Sequence, residues 1–266
     1  MKIRKIKVNK FTLNDNAKFK DSVAIESPLE IRLSHDASNF QTLAITLCTP
    51  ADIEDLIYGQ LYTEGIIAHR TDVKTIMIFD NELGLVAEII LVKSINYNKH
   101  LNNHHGMIHA SCGLCGKTEI DDLLTFKYPK LNTTDQFKNK LNAEIICSLP
   151  NKLLQAQKAF VQTGGLHASA VFDESGCLLM VKEDIGRHNA LDKLIGYCLQ
   201  QNLLPLSNKI ILLSGRISFE LVHKSLCAGV TTLAAIGAPS SLSVEIANLN
   251  KLKLLGFVKK SGFNRY

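Results

Sequence analysis

The cysteines best placed for chemistry lie close together in the middle of the chain. Cys112-Gly-Leu-Cys115 is the only CxxC in the sequence, and a glycine directly follows each cysteine. The thiolate is the reactive form of cysteine, and pairs at this spacing often have a lowered pKa. Lys117, His105 and His109 lie near the pair in sequence and can supply positive charge, which favours the thiolate. The pair is therefore predicted to be chemically reactive.

The sequence around the pair leaves several chemistries open. A redox dithiol usually stands at the strand-to-helix turn of a βαβ unit, whereas a polar stretch rich in His and Asn precedes this one. Zinc could be held by His105, His109, Cys112 and Cys115, although zinc sites usually separate their two ligand pairs by a longer span. A nucleophilic or sulfur-carrying thiol suits the glycine flanks, which would let the sulfur reach two partners. A CxxC with a structural role alone is the remaining alternative.

Three polar turns in the second half of the chain predict an anion-binding edge. Each stands between a predicted strand and a predicted helix; they are residues 183–188, 214–216 and 237–241. In a parallel sheet such turns meet at the carboxyl ends of the strands, where helix N-termini offer free N–H groups to anions. Arg187 and Arg216 can each bind a phosphate through two hydrogen bonds. One such turn alone is usually an ordinary capped turn, but three of them, with Thr163-Gly164-Gly165, favour a ligand site.

The elements that must position these residues change character near residue 140. Alternating apolar and polar residues in the first third predict antiparallel strands. A helix is predicted to begin after residues 49–52, with Thr49 or Asp52 as its N-cap. Beyond the polar stretch 127–140, helices and strands alternate, which is typical of an α/β sheet with parallel strands. We therefore predict a β-rich α+β domain over 1–140, ending in the CxxC loop, and an α/β domain over 141–266.

The predicted boundaries follow from hydrophobic periodicity and turn residues. Predicted strands cover residues 3–13, 22–33, 41–47, 72–79, 85–92, 168–172, 177–182, 209–213, 231–236 and 253–258. In the second half, predicted helices cover residues 143–159, 189–199, 218–228 and 241–249.

Composition excludes several classes of protein. Of the 266 residues, 46% are hydrophobic and 21% charged, which is ordinary for a globular protein and excludes a disordered chain. The formal net charge of +5 is spread without a dense Lys/Arg tract, so no nucleic-acid partner is expected. No apolar run reaches the roughly 18 residues of a membrane helix, and the N-terminus lacks the apolar stretch of a signal peptide. We expect a cytoplasmic protein without a membrane partner.

The isolated cysteines indicate a reducing compartment, and the motifs that the sequence lacks exclude further classes of enzyme. The isolated cysteines stand in apolar contexts and are predicted to be small buried residues of a reducing compartment; they are Cys48, Cys147, Cys177, Cys198 and Cys227. The sequence lacks GxxxxGK[ST] and a GxGxxG that opens a helix, so neither a P-loop NTPase nor a Rossmann dehydrogenase is supported. It also lacks the HxE and PCxxC of zinc deaminases.

Six motifs, in order along nearly the whole chain, closely resemble those of the formate dehydrogenase accessory sulfurtransferase family, the FdhD/NarQ type. They are TPxDxEDL at 49–56 continuing to TEGII at 63–67, CGxCG at 112–116, TGGxHA at 163–168, EDxGRHNAxDK at 183–193, SGRxSFE at 214–220 and APSS at 238–241. No single motif is specific, whereas six in this order are.

The resemblance implies a sulfurtransferase that works through a cysteine persulfide. Such proteins take sulfur from a cysteine desulfurase and pass it to the molybdenum (or tungsten) bis(molybdopterin guanine dinucleotide) cofactor, which is then inserted into formate dehydrogenase. By this resemblance Cys112 carries the persulfide and Cys115 assists. The expected partners are the desulfurase, formate dehydrogenase and the guanine-nucleotide cofactor, and a homodimer stays open.

The resemblance also implies that residues 141–266 form a cytidine-deaminase-like, three-layer α/β domain without the zinc site. Residues 186–190 and 214–218 fit this expectation, because they supply neither glutamate nor cysteine. The family's cofactor-binding segment corresponds to residues 257–262, where Lys259-Lys260 stands in place of an expected Arg-Gly pair. The predicted cofactor-binding residues are His167, Arg187, His188, Ser214, Gly215, Arg216, Phe257, Val258, Lys259, Lys260, Ser261 and Gly262.

Two alternative functions remain. A non-catalytic chaperone would bind the molybdenum cofactor and hold zinc at the CxxC, and a nucleotide-processing enzyme would use a deaminase-like scaffold. The missing HxE disfavours the second. We expect no stoichiometric zinc, because the compact ligand spacing disfavours a closed tetrahedral site.

Overall fold

Three β-sheets form the framework of the computed structural model, which describes residues 2–13, 16–101, 128–129 and 142–266. β1 and β2 form a separate antiparallel hairpin, a second sheet has the order β4-β3-β6-β5, and a third has the order β12-β11-β10-β9-β7-β8. The strands are β1 (Ile3–Phe11), β2 (Asn16–Ala24), β3 (Ser27–Ser34), β4 (Gln41–Cys48), β5 (Val73–Asn81), β6 (Gly84–Leu91), β7 (His167–Phe172), β8 (Leu178–Asp184), β9 (Ile210–Leu213), β10 (Thr232–Ala235), β11 (Lys253–Lys259) and β12 (Gly262–Arg265).

Helices cover the two larger sheets. In the described ranges they are α1 (Ile53–Thr63), α2 (Asn98–Leu101), α3 (Ala143–Ala156), α4 (Lys158–Thr163), α5 (Arg187–Gln200), α6 (Phe219–Cys227) and α7 (Ser241–Leu249), with one 3₁₀ turn at Arg70–Asp72. The buried residues of α3, Ile146, Leu149 and Leu153, recur every three or four positions, so one face of this helix meets a sheet. Helix α1 is buried on more than one side.

The four-stranded sheet buries one face beneath α1. Strand β3 runs antiparallel to β4 and parallel to β6. Alternate β3 residues Leu29, Ile31 and Leu33 are fully buried and share a core with Leu56 and other residues of α1. The residues between them, Glu30 and Arg32, form an ion pair on the outer face. This alternation is what a half-buried strand requires.

The six-stranded sheet lies between two layers of helices. Alternation along the strands sends Val171, Ile211 and Leu213 into a core with α5, α6 and α7, while other strand residues meet α3 on the opposite face. Strands β9, β10 and β11 are parallel, and β7 runs antiparallel to both β8 and β9. Strand β8 therefore points the same way as β9, β10 and β11, so their carboxyl ends share one edge.

Two glycines let the N-terminal sheet unit approach the C-terminal one. A Cβ atom at Gly59 of α1 would lie 1.9 Å from the carbonyl oxygen of Asp192, and one at Gly196 of α5 would lie 1.8 Å from that of Asp55. Any larger residue would force the two helix backbones apart. Helix α1 thus packs on the four-stranded sheet with one side and directly on α5 with another.

Most of the predicted elements are present in the structure. The predicted hairpins at residues 72–92 and 168–182 correspond to β5–β6 and β7–β8. The predicted helix 241–249 matches α7, and the three predicted strands that follow a helix in the second half are β9, β10 and β11. The prediction of a mixed α/β fold with parallel strands is therefore confirmed.

Two local predictions are wrong, and a third is confirmed only in part. Predicted strand 22–33 is divided between β2 and β3, since the chain leaves extended pairing at residues 25–26. Predicted helix 143–159 is divided at Gln157, which has a non-helical ψ of 68°. Asp52 is the N-cap residue of α1, as one of the two predicted alternatives had it, but it has a left-handed φ of 53° and its side chain makes no capping hydrogen bond. Its carboxylate instead binds Lys182 at 2.9 Å and Lys2 at 3.2 Å, so ion pairing outweighs capping.

The predicted division near residue 140 lies outside the described residues and stays a prediction. Among the helices that the structure describes, none combines the length and the apolar character needed to cross a membrane.

Candidate functional site

The three polar turns predicted to bind anions lie side by side at the shared carboxyl edge of the six-stranded sheet. Backbone hydrogen bonds connect the second and third turns: Gly237 N donates to Gly215 O at 3.1 Å, and Ile217 N donates to Ala238 O at 2.9 Å. The first turn reaches the second through His188 Nε2, which lies 3.2 Å from Ser218 Oγ. Phe257 N donates to Gly237 O at 3.1 Å, which adds the end of β11 to the same row. The structure thus brings together turns that lie far apart in sequence.

His167 begins β7 at this edge and lies against the second turn. A Cβ atom at Gly215 would lie 3.2 Å from His167 Nδ1, so glycine leaves room for the imidazole. Ser214 fixes the strand start, because Ala168 N donates to its Oγ at 2.8 Å and Ser214 N donates to Ala168 O at 2.9 Å. The predicted residues His167, Ser214 and Gly215 therefore form one contiguous surface.

Positive groups surround the His167 ring. Burial is the main cause that lowers the pKa of His167, and the nearby charges of Arg187, His188 and Arg216 lower it further, while Asp184 opposes them. Arg187 is half-buried and Arg216 is exposed at the rim. This region of the edge can therefore offer guanidinium and imidazole donors to an anion.

His188 is held by a carboxylate that sequence reasoning did not select. His188 is buried, and its Nε2 lies 2.7 Å from Glu220 Oε2 and 3.2 Å from Ser218 Oγ. Burial alone would raise the pKa of Glu220, but the hydrogen bonds from His188 and Ser218 and the charge of Arg187 hold that pKa below its ordinary value. Glu220 thus orients His188. The SFE motif contains Glu220, and its position in the first turn of α6 was the available signal.

A buried ion pair supports the first turn from below. Lys193 Nζ lies 2.6 Å from Asp184 Oδ2, and both side chains are 0% exposed. Asp184 also accepts hydrogen bonds from Gly186 N at 2.8 Å and from Asn189 Nδ2 at 3.2 Å. These contacts fix the backbone just before Arg187 and His188, so they position the predicted binding residues.

The same network reaches the N-terminal unit. Thr49 N donates to Asp184 Oδ2 at 3.0 Å, and Lys193 Nζ donates to Thr49 O at 2.9 Å. Ile185 N in turn donates to Thr49 Oγ1 at 3.2 Å. The TPxDxEDL and EDxGRHNAxDK motifs therefore contact each other, and these contacts hold the turn at residues 183–188 in place.

A cavity of about 620 Å³ opens beside His167 and Ser214. Its walls are mostly apolar and include Leu154 of α3, Phe160 of α4 and Ile236 after β10. Gly164 and Gly165 also line it, as the predicted role of Thr163-Gly164-Gly165 suggests. The contribution of α3 and α4 was missed, since no motif in those helices links them to the edge.

The segment 257–262 forms a bulged β-hairpin. Phe257 has a left-handed φ of 55°, which is rare for an aromatic residue, and its side chain is 48% exposed. Lys259, Lys260 and Ser261 are exposed around the turn that leads to Gly262. Val258 is 1% exposed and packs in the core with α3, so only its backbone can contribute to the predicted binding segment.

The predicted thiol chemistry lies outside the described residues. This holds for Cys112 and Cys115 and equally for His105, His109 and Lys117. In the ranges that are described, three or more His, Cys, Asp or Glu side chains nowhere form a group suited to a metal ion.

The isolated cysteines only partly follow the prediction that they are buried. Cys48, Cys198 and Cys227 are buried, and burial raises the pKa of Cys48 and of Cys198 to about 12, which keeps both thiols protonated. Cys147 is half-buried and Cys177 is exposed, so the prediction is wrong for Cys177. Cys177 directly follows the turn at residues 173–176 and precedes β8, where a single apolar context in sequence does not ensure burial.

Comparison with known proteins gives one consistent result. The sulfur carrier protein FdhD of Streptomyces coelicolor is 39% identical over 253 residues, which cover 92% of this chain and 87% of that protein. The protein of the same name from Sulfurisphaera tokodaii is 38% identical over 266 residues, covering 100% of this chain and 97% of its own. A crystal structure assigned as a formate dehydrogenase accessory protein from Desulfotalea psychrophila has a TM-score of 0.71 at 20% identity, covers 100% of this chain and 96% of that one, and so shares the fold. The model of the FdhD/NarQ family matches residues 24–266, and the chain belongs to that family.

Proposed function

We propose that this protein is a sulfur carrier for the maturation of formate dehydrogenase. It would accept persulfide sulfur from a cysteine desulfurase on Cys112 and transfer it to the molybdenum bis(molybdopterin guanine dinucleotide) cofactor before that cofactor enters formate dehydrogenase. The observation that carries the proposal is the row of cationic turns beside a cavity, in a chain whose relatives are named sulfur carrier proteins. Because the proposed chemistry needs Cys112 as a free thiol, we place this activity in the reducing cytoplasm.

The sulfur step uses thiolate chemistry. The Cys112 thiolate attacks the terminal sulfur of the desulfurase persulfide, forming a new S–S bond while the donor's S–S bond breaks and its cysteine leaves as a thiolate. No net oxidation occurs, because the sulfane sulfur only changes its carrier. In the second step the bond between Cys112 Sγ and the sulfane sulfur would break and Cys112 would leave as a thiolate, with Cys115 assisting by proximity. The two electrons that convert the sulfane sulfur into sulfide would come from the reduced metal of the cofactor that receives it.

The carboxyl edge suits the substrate of the second step. The guanine dinucleotide cofactor carries phosphates, and Arg187, Arg216 and the N-termini of α5 and α6 all lie at this edge. Its rings need a cavity with largely apolar walls, and about 620 Å³ falls within the usual range of small-molecule sites. We therefore assign phosphate binding to the cationic turns and ring binding to the cavity lined by α3 and α4.

The proposal includes the deaminase-like description of residues 141–266. Support comes from the three layers, in which α3 lies on one face of the six-stranded sheet and α5, α6 and α7 on the other. The turns that would carry metal ligands in such a scaffold instead carry Arg187, His188 and Arg216. In our proposal these residues make the carboxyl edge of the sheet an anion-binding site, where a zinc deaminase would have its catalytic site.

Replacing Arg216 by alanine should weaken binding of GDP, a fragment of the cofactor, by roughly tenfold or more. Each charge-assisted contact to a phosphate contributes on the order of 1.5–3 kcal/mol, and about 1.4 kcal/mol corresponds to a factor of ten. Lys259→Ala should have a smaller effect, because an exposed ammonium group is screened by water and salt. Calorimetric titration of GDP into each purified variant measures both effects.

A matched control is Arg265→Ala, which removes an exposed arginine paired with Leu255 in the earlier part of β11, away from the carboxyl edge. Its affinity for GDP should equal that of the wild type. Arg216→Lys should recover only part of the loss, since lysine cannot bind phosphate through a planar fork. Unchanged affinity in Arg216→Ala would place the nucleotide site elsewhere and remove the basis for the cationic edge.

Purified protein should contain much less than one zinc ion per chain. The chelating residues His105, His109, Cys112 and Cys115 are closely spaced and flanked by glycine, which disfavours a closed tetrahedral site. Metal analysis of protein purified without chelators gives the stoichiometry. One zinc per chain, lost together with activity on chelation, would instead support the chaperone alternative.

A further inference from the structure

Residues 1–24, which contain the β1–β2 hairpin, hold all of the net positive charge of the chain. Residues 1–24 contain seven Lys or Arg and two Asp or Glu, a net charge of +5, and the whole chain has 30 and 25 and the same net charge. The other residues therefore carry equal numbers of positive and negative groups. The family model begins at residue 24, so the hairpin precedes the matched region. The positive charge is thus concentrated in front of an electrically balanced region that the family model matches.

The strand register places lysines together on one face of this hairpin. Lys7 lies directly opposite Lys20, and the alternation of strands puts Lys5 and Lys18 on the same face. The one acidic residue within the two strands, Asp21, pairs with Ile6 and belongs to the opposite face. Like charges directly opposite each other destabilise a sheet, so Lys7 and Lys20 destabilise the free hairpin. This face is therefore not neutralised by the hairpin's own residues.

The other face is mixed: Ile6, Val8 and Phe19 lie on it together with Arg4, Lys10 and Asp21. Ile6 and Phe19 are 39% and 41% exposed, and Lys10 Nζ lies 5.6 Å from the centre of the Phe19 ring. The hairpin contacts α4 through β2, and a two-stranded hairpin with so little packing is only marginally stable in water. A surface that covers these apolar side chains and neutralises the lysines would complete the element.

The base of the hairpin adjoins the candidate site. Lys2 Nζ binds Asp52 Oδ2 at 3.2 Å, and Ile25 N donates to Lys2 O at 3.0 Å. At the end of β2, the Cβ atom of Ala24 would lie 3.7 Å from a Cβ atom added to Gly165, which lines the cavity. A protein bound to the hairpin would therefore lie next to the cavity.

We propose that the β1–β2 hairpin is a docking arm for an acidic surface of the cysteine desulfurase. The inference rests on the proposed function and names the surface through which the sulfur donor is recognised. A protein fits better than a nucleic acid, since phosphates would engage the lysines and leave Ile6, Val8 and Phe19 uncovered and Asp21 without a positive partner. The donor fits better than the client enzyme, because it must bind and leave for every sulfur atom, and charge-steered contacts give fast association with ready release.

The test compares two triple variants that change the net charge equally. Lys7→Glu/Lys18→Glu/Lys20→Glu reverses the cationic face, and Lys74→Glu/Lys93→Glu/Lys251→Glu reverses three exposed lysines elsewhere. We measure the affinity of each for purified cysteine desulfurase at low and at physiological salt, and the rate of sulfur loading on Cys112 by mass spectrometry. The hairpin variant should lose about tenfold or more in affinity and in loading rate at subsaturating donor, whereas the control should stay within about twofold of wild type.

Other measurements separate the possible failures. Lys7→Gln/Lys18→Gln/Lys20→Gln should give an intermediate loss, and circular dichroism and GDP titration should match wild type in all three variants. Equal loss in both Glu variants, or no loss in either, would overturn the docking arm while leaving the carrier role intact. The docking arm would also be overturned if the hairpin variant lost affinity only for formate dehydrogenase, or only for a short DNA duplex, and not for the desulfurase. If wild-type protein itself gains no sulfur, it is the proposed function that fails.

Discussion

Replacing Cys112 by serine is expected to abolish maturation of formate dehydrogenase. A serine hydroxyl cannot hold a sulfane sulfur, and at neutral pH it does not form the anion that attacks the donor persulfide. The loss should therefore be complete rather than partial, although the purified variant should unfold at the same temperature and bind GDP as well as wild type does. Formate dehydrogenase activity in cells that carry only the variant measures the effect.

The chemical step can be followed directly in purified components. After incubation with a cysteine desulfurase and cysteine, wild-type protein should gain one sulfur atom on Cys112, detected by mass spectrometry of an alkylated peptide, and Cys112→Ser should gain none. Cys177→Ser is the matched control, since Cys177 is an exposed isolated thiol. It should leave both loading and maturation unchanged.

Cys115→Ser should be milder, because a neighbouring thiol that assists transfer can be replaced in part. Normal maturation with Cys112→Ser would contradict the persulfide role. If Cys115→Ser is inactive while Cys112→Ser is active, the two cysteines have the opposite roles.

The fold was predictable where one periodicity acts over a whole element. Helix α7 buries positions three and four residues apart, and its boundaries match the predicted ones. The approach of α1 to α5 was not predictable, because Gly59 and Gly196 act as a pair only after both helices are in place. For the same reason Asp52 looked like a helix cap, whereas its partners Lys2 and Lys182 come from other elements.

The candidate site shows the same division. The rule that turns of parallel strands meet at one edge predicted the neighbourhood of His188 and Arg216, which are far apart in sequence. The cavity wall from Leu154 and Phe160 could not be predicted, because these residues belong to helices on the opposite layer and follow ordinary helical patterns. The binding segment 257–262 was predicted by resemblance as a whole, but the side chain of Val258 cannot take part, because strand alternation places it in the core.

Four motif residues, Thr49, Asp184, Asn189 and Lys193, prove to be parts of one buried network. Sequence reasoning placed them in two motifs and gave a role only to Thr49, as a possible helix cap, whereas the structure joins all four below the first anion-binding turn. Burial of charge is costly unless each group is paired and hydrogen-bonded, and here the carboxylate has donors on both oxygens. The network therefore couples the stability of the chain to the geometry of its candidate site.

Lys193→Met is expected to lower the free energy of unfolding by about 3–5 kcal/mol, the usual cost of removing one partner of a buried ion pair. Methionine fills a similar volume, so the loss comes from the charge of Asp184, which stays 0% exposed without its counterion. The lost hydrogen bond to Thr49 O adds to it and loosens the link between the N-terminal unit and α5. Denaturant unfolding, followed by circular dichroism, measures the change against Lys74→Met, an exposed control that should shift stability by less than about 0.5 kcal/mol.

The double variant Asp184→Asn/Lys193→Met distinguishes an uncompensated charge from a simple loss of packing. Asparagine keeps an oxygen that can accept from Gly186 N, and it carries no charge, so the double variant should be more stable than Lys193→Met alone. If the double variant is the less stable of the two, packing or the Thr49 contact dominates instead. A loss below about 1 kcal/mol in Lys193→Met would show that water reaches Asp184 in solution. Because the network holds the backbone that presents Arg187 and His188, the unstable variant should also bind GDP more weakly under conditions where it remains folded.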